Sequence, residues 1–359
     1  MVSGSKKIES AATKRARLMD LKDDRENEFF TTFRYYPAIG LGYEEGVARR
    51  DPTDIIKVDD TYYVWYTRTS RGPPPVGRNY ATDVLRATTW DRAEIWYATS
   101  KDGYVWKEQG KAIGPGPKGS FDSRTVCTPG ILVAKGRYYL FYQAYSDVPE
   151  DGYNVIGMAC ADSPDGPWEK WPEPILVPGE KDDFDGACVH DPMLIVRDGK
   201  YWLYYKGHRK LPESKYPWPY SNAKWGVAIA KNPEGPYIKS EYNPVTNSGH
   251  EVVVWPYKEG VCALITDGPE KNTIQYAPDG LNFEIKAHLG GYARPADPPQ
   301  AAGPYRPDAF TNTKWGQGIT WGLSQITRIY RNGVRMWCWP HLIRFECNLS
   351  INKKMNEYP

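Results

Sequence analysis

Four times along the chain, a short apolar run leads into a two-residue polar turn and then into a run of aromatic and aliphatic residues. Ile55-Ile56-Lys57-Val58 is followed by Asp59-Asp60 and Tyr62-Tyr63-Val64-Trp65-Tyr66. Ile131-Leu132-Val133 is followed by Lys135-Gly136 and Tyr138-Tyr139-Leu140-Phe141-Tyr142. The third block is Leu194-Ile195-Val196, Asp198-Gly199 and Tyr201-Trp202-Leu203-Tyr204-Tyr205, and the fourth is Val252-Val253-Val254, Glu259-Gly260 and Val261-Cys262-Ala263-Leu264-Ile265. Apolar runs this short, rich in β-branched and aromatic residues and bounded by turn formers, predict strands paired as hairpins.

Each block continues into a third strand and, past a tight turn, an outer one. The third strands are Trp96–Ser100, Gly157–Ala161, Gly226–Ala230 and Thr273–Ala277; the outer ones are Val105–Lys107, Trp168–Lys170, Tyr237–Lys239 and Phe283–Ile285. Asp51, Thr128, Asp191 and Glu251 open the four blocks, at successive offsets of 77, 63 and 60 residues. Four antiparallel strands in a repeat of this length describe a propeller blade. The tail, with Ile319–Leu323 and Val334–Trp339, predicts a fifth blade, and Phe33–Leu41 supplies a strand that closes the ring. The expectation is an all-β, five-bladed β-propeller over residues 31–359. A helical extension over residues 1–30 precedes it, with Ser10 as N-cap of a charged stretch rich in helix formers. Insertions at about 71–92 and 211–224 have the length of loops that wall a pocket.

Charge narrows the function classes. The 359 residues carry 46 basic and 44 acidic side chains, a net charge of +2 that is too balanced for a nucleic-acid groove or an anionic membrane surface. No apolar run approaches a membrane span. Met1–Lys7 lacks the apolar segment of a signal peptide, which predicts a cytoplasmic protein, or a periplasmic one had a leader been removed. The six cysteines form no Cys-x-x-Cys pair and sit mostly in apolar strand patterns, so they read as buried free thiols. There is no Gly-rich phosphate loop, no Ser/His/Asp nucleophile motif and no zinc-ligand spacing. No cofactor is required, although the channel of such a propeller leaves room for a divalent cation.

Chemistry gathers at the starts of the innermost strands, which converge at one mouth of a propeller's channel. Asp51, Asp191 and the His250-Glu251 pair come from three blades, with uncharged Thr128 from a fourth. Carboxylates paired across a pocket rich in aromatics are the equipment of glycoside hydrolysis, where one group activates water and another protonates the leaving oxygen. A further carboxylate nearby raises the acid's pKa by like-charge repulsion. Thr128, His190, Arg124, Trp65, Lys206 and Trp321 are the candidates for holding the sugar, and Arg68 and Lys210 are basic residues suited to hydroxyls or an anionic group. His208, His288 and His341 read as structural.

The segments Ser240–Val252, Trp255-Pro256-Tyr257, Thr266–Thr273, Tyr43–Val47 with Arg49–Pro52, Val189–Pro192 and Trp321–Ser324 resemble glycoside hydrolase family 117, the α-1,3-(3,6-anhydro)-L-galactosidases or neoagarobiose hydrolases. The resemblance implies a five-bladed propeller and inverting, exo-acting release of 3,6-anhydro-L-galactose from neoagaro-oligosaccharides. Ser10-x-Ala12-x-x-Arg15 resembles the family's helical motif and implies a homodimer with swapped N-terminal helices. By motif, Asp51 is the general base, Asp191 the carboxylate that tunes the acid and fixes the sugar, and His250 the general acid. Glu251 stands where an arabinanase-like propeller carries its acid. Gly130 replaces an expected Glu and Gln325 an expected His, departures that bear on which sugar is bound. The open alternatives are an arabinanase- or xylosidase-like glycosidase using Glu251, and a sugar-binding propeller without activity.

Overall fold

Tight two-residue hairpins organise the molecule. It is seen here in a computed structural model that describes residues 10–12, 27–148, 154–209, 223–247, 249–289, 298–306, 316–331 and 334–350. The first strand, β1 (Arg34–Pro37), belongs to the last blade. Blade one holds β2 (Arg49–Arg50), β3 (Ile56–Val58), β4 (Thr61–Arg68), β5 (Glu94–Ser100) and β6 (Trp106–Ile113). Blade two holds β7 (Thr125–Ala134), β8 (Arg137–Tyr145), β9 (Asn154–Ala161) and β10 (Glu169–Lys170). In blade three, β11 (Cys188–Arg197), β12 (Lys200–His208), β13 (Lys224–Ala230) and β14 (Ile238–Lys239) follow the same order, as do β15 (Val252–Lys258), β16 (Gly260–Ile265), β17 (Thr273–Ala277) and β18 (Glu284–His288) in blade four.

Blade five is assembled differently. Its inner strand is the two-residue β19 (Gly303–Pro304), which pairs with β20 (Gly316–Arg331); β20 pairs with β21 (Val334–Ser350), and β1 completes the blade on the outside of β21. The N-terminal strand therefore closes the ring, as the sequence predicts. The inner strand was not legible, because Gly-Pro carries no apolar run. Gly303 is required where it stands: a Cβ would lie 1.6 Å from the Thr53 carbonyl oxygen of blade one.

In the four regular hairpins the first turn residue has positive φ: Asp59 (50°), Lys135 (51°), Asp198 (50°) and Lys258 (50°). That conformation suits the primed turns whose twist matches the flanking strands. The fourth turn is thus Lys258-Glu259, one residue earlier than expected. Gly260 instead opens β16, where a Cβ would meet the Ala277 carbonyl oxygen at 2.4 Å.

Apolar side chains fill the space between successive blades. Trp65 and Leu140 belong to one buried cluster joining blades one and two, Phe141 and Tyr205 to one joining two and three, and Tyr204 and Val254 to one joining three and four. Trp255 and Phe345 lie between four and five, and Leu323 and Val64 between five and one. This accounts for much of the aromatic content by packing alone. The five cysteines Cys127, Cys160, Cys188, Cys262 and Cys338 are free and buried, and Cys347 is free and half-buried. Of the helical extension expected over residues 1–30, residues 1–9 and 13–26 lie outside the described residues; Ala11 and Ala12 are helical, residues 27–30 form a turn instead, and no α-helix is among the described elements. The insertion expected at 211–224 is likewise outside them up to residue 222, as is Lys210.

Candidate active site

The site begins with a defect in the innermost strands. In blade three, the β11–β12 register runs from His190↔Lys206 directly to Met193↔Tyr204, so Asp191-Pro192 stands opposite Tyr205 alone. In blade two, Thr128-Pro129 stands opposite Tyr142 between Cys127↔Gln143 and Gly130↔Phe141. Two residues facing one is a β-bulge, and a bulge is where a strand tolerates proline's missing N–H. In blade one the break between β2 and β3 falls at the same place, after Arg50↔Thr67. The residue before each proline has positive φ: Asp51 51°, Thr128 45° and Asp191 53°. For a residue with a Cβ this costs about 1–2 kcal/mol, and it persists because the surroundings hold it.

What holds it is visible. The Asp51 N–H donates to Gln325 Oε1 at 3.0 Å, and the Thr128 N–H donates to Thr67 Oγ1 at 2.7 Å. Asp51 is buried, and its Oδ2 accepts from Arg50 Nε (2.8 Å), Thr67 Oγ1 (3.2 Å) and Thr128 Oγ1 (3.3 Å). All three contacts fall on one oxygen, which leaves Oδ1 for a water. Arg50 in turn lies 4.6 Å over the Trp90 ring and donates to Thr89 Oγ1 at 3.0 Å.

Asp191 Oδ2 is 2.5 Å from Lys206 Nζ, and its Oδ1 is 3.7 Å from His190 Nδ1. Burial raises the Asp191 carboxyl above its usual range; Lys206 opposes the rise, and the nearby Glu251 and Asp51 add to it. Burial acts on the neutral-favouring side for His190 and His208 as well, and the Lys206 ammonium reinforces it, so both imidazoles sit well below their usual pKa. Their rings are 4.9 Å apart. In blade four, His250 Nδ1 is 3.2 Å from Glu251 Oε1. Burial alone would raise Glu251, but His250, Lys206 and Arg50 outweigh it and hold the carboxyl below its usual range.

Asp51, Thr128, His190, Asp191, Lys206, His208, His250 and Glu251 all line one cavity of about 410 Å³, with Trp90, Gln143, Gln325, Arg328 and Trp337 among the rest of its wall. His208, read from sequence as structural, is therefore part of the site wall. Three proposed sugar contacts lie elsewhere. Trp65 is fully buried between Tyr63 and Tyr97. Arg124 is held bidentate by buried Asp91, at 2.8 Å from each oxygen. Trp321 packs on Tyr62 and Tyr305 beneath the Arg344 guanidinium. Arg68 is likewise taken, by Glu108 at 3.0 Å and the Trp96 ring at 3.9 Å.

One readable signal joins Lys206, already a candidate from sequence, to three residues that sequence reasoning missed. Thr67, Gln143, Lys206 and Thr266 each lie seven positions past the second turn residue of their hairpin. Thr67 donates to Asp51, Lys206 pairs with Asp191, and Thr266 Oγ1 donates to the Glu251 carbonyl oxygen at 2.9 Å. The two departures also acquire reasons. Gln325 supplies the acceptor for the Asp51 N–H, and a Cβ on Gly130 would lie 2.3 Å from the Pro192 carbonyl oxygen.

Among the described residues no group of His, Cys, Asp or Glu suits a metal ion. Behind the carboxylates, Arg306 Nη1 donates to Asp54 Oδ2 at 2.5 Å and to the Leu194 carbonyl oxygen at 2.9 Å.

Residues 47–215 match the model of the glycosyl hydrolases family 43. A solved family 117 glycoside hydrolase from the marine bacterium Zobellia galactanivorans is 40% identical, covering 92% of this chain and 94% of that one, with a TM-score of 0.80. The fructan 1-exohydrolase IIa of Cichorium intybus, 17% identical over 89% of this chain and 57% of its own, has a TM-score of 0.53 and shares the fold. Xylosidase/arabinosidase 43A of Humicola insolens is 31% identical over 86 residues, which are 24% of this chain and 23% of that protein. The chain thus spans under a quarter of the curated relative it matches.

Proposed function

The chain belongs to glycoside hydrolase family 117, and we propose that it removes 3,6-anhydro-L-galactose from the non-reducing end of neoagaro-oligosaccharides with inversion. Asp51 Oδ1 takes the proton of the attacking water. The Glu251 carboxylate holds His250 through Nδ1, so that Nε2 is directed at the leaving oxygen and protonates it. Asp191, kept in place by Lys206, binds ring hydroxyls. The observation that carries the reading is the meeting of Asp51 from blade one with His250-Glu251 from blade four across one cavity.

The test is incubation with neoagarobiose and neoagarotetraose, following product anomers by proton NMR. Release of the inverted anhydro sugar is expected, with Asp51→Asn and His250→Ala each slower by roughly 10²–10⁴-fold. Absence of release by the intact protein refutes the substrate; release that survives His250→Ala moves the proton donor to Glu251. The family 43 match and the Humicola insolens relative favour a second reading, an arabinoside or xyloside hydrolase with Glu251 as acid. A Glu251 held below the usual carboxyl range is a poor proton donor, which places this reading second. The expected swapped homodimer is checked by light scattering of the chain with and without residues 1–30.

A further inference from the structure

Two cations of the cavity wall are already engaged: Arg50 by Asp51 and Lys206 by Asp191. Arg328 differs. Its side chain is half-buried against the same cavity, yet it makes no hydrogen bond or ion pair with a described residue. Directly opposite it in the β20–β21 ladder is Trp337, which is 54% exposed, lines the cavity too and packs edge-on against Trp339 at 4.8 Å. Opposed residues of an antiparallel pair project from the same face at about 5 Å between Cβ atoms. The ladder slips between Ile326 and Arg328, and Cys338, Trp339 and Pro340 form the matching excess on β21 before His341. The slip sets the Arg328–Trp337 pair off from the rest of the blade and turns it to the cavity.

A guanidinium beside an exposed indole is a site for a ring that carries an anion: the indole takes the sugar face, and the planar fork takes two oxygens of a sulfate or carboxylate. We propose that Arg328 and Trp337 form a subsite for an anionic sugar residue, sulfated or uronic, on the leaving-group side of the scissile bond. This rests on the hydrolase reading above and narrows its substrate class. Asp267, a carboxylate on the same wall from blade four, accepts its neighbour Gly268 N–H at 2.8 Å and is ion-paired with no described cation.

Three disaccharides test this. All carry non-reducing 3,6-anhydro-L-galactose; the second unit is galactose, galactose sulfate or galacturonate. Their Kd values are measured by calorimetry on Asp51→Asn, where turnover does not interfere. At least one charged disaccharide is expected to bind roughly tenfold tighter than the neutral one. Arg328→Gln should bring the charged-to-neutral ratio to about 1, and Arg328→Lys should restore part of it. Whichever charged form binds tighter names the source of the anion. Equal Kd values, failure of both charged forms to bind, or a preference that survives Arg328→Gln would overturn the subsite. Failure of the hydrolase reading has a separate signature: no disaccharide is cleaved by the intact protein.

Discussion

Blades three and four each set a histidine directly before a carboxylate, and the two carboxylates are driven in opposite directions. In blade three the strand is bulged, Asp191 has positive φ, and the charge beside it is Lys206. Its histidine is buried and kept neutral. In blade four Val252 keeps its place in the ladder opposite Ile265, and no bulge forms at Glu251. His250 is then the nearest partner of Glu251, and the carboxyl is stabilised as the anion. The same dipeptide pattern thus yields a lysine-paired carboxyl in one blade and a histidine-paired carboxylate in the other. The position seven past each turn sets the partner, Lys206 beside Asp191 and Thr266 on the Glu251 carbonyl. The shifts part because burial outweighs Lys206 at Asp191, whereas His250, Lys206 and Arg50 outweigh burial at Glu251.

Removing the lysine should collapse the blade-three arrangement. Lys206→Met leaves Asp191 buried without its cation, and about 3–5 kcal/mol of stability should be lost in urea unfolding. A loss under 1 kcal/mol would show that the ammonium is not what holds Asp191. A double variant, Lys206→Met with Asp191→Asn, should recover much of the loss.

Protonation distinguishes the pairs next. His190 and His208 sit well below the usual 6.5, so the unfolded chain binds protons that the folded chain refuses. Stability is therefore fully present above about pH 6.5 and falls as the pH drops below it, by up to about 1.4 kcal/mol per pH unit for each histidine. Asp191 works with the opposite sign and at lower pH, since its raised carboxyl favours the protonated folded form. Melting temperatures between pH 7.5 and 5 should fall less steeply in His190→Gln. An unchanged slope would remove the buried imidazole from the explanation.

The smallest expected effect compares the equivalent threonines. Thr67→Val removes a donor to Asp51 and strands the Thr128 N–H, while Thr266→Val removes one donor to a backbone carbonyl. Thr266→Val should cost about 0.5–1.5 kcal/mol of stability with little change in kcat, whereas Thr67→Val should lower kcat as well. Equal effects on kcat would mean that the Thr67 hydroxyl is not what orients Asp51.

Much was legible in the sequence because the repeat is written in side-chain chemistry. Hairpin turns need residues that accept positive φ, and strands between packed sheets need large apolar side chains. Asp51-Pro52, Thr128-Pro129, Asp191-Pro192 and His250-Glu251 could thus be placed at one end of four blades from their spacing. The aromatic candidates failed for the same reason: Trp65 and Trp321 satisfy the packing between blades before they are available to a ligand. Arg124 failed because Asp91, its partner, lies 33 positions away in the chain.

The sequence by itself determined the blade repeat, the closing strand and the convergence of the acidic residues, since each follows from local propensity repeated at a regular interval. Only the tertiary structure decided which carboxyl is raised and which is lowered, that Gln325 supports Asp51, and that Arg328 and Trp337 face the cavity together. Those outcomes depend on burial and on charges brought within a few ångströms from blades far apart in the chain, and Coulomb energy depends on distance in space.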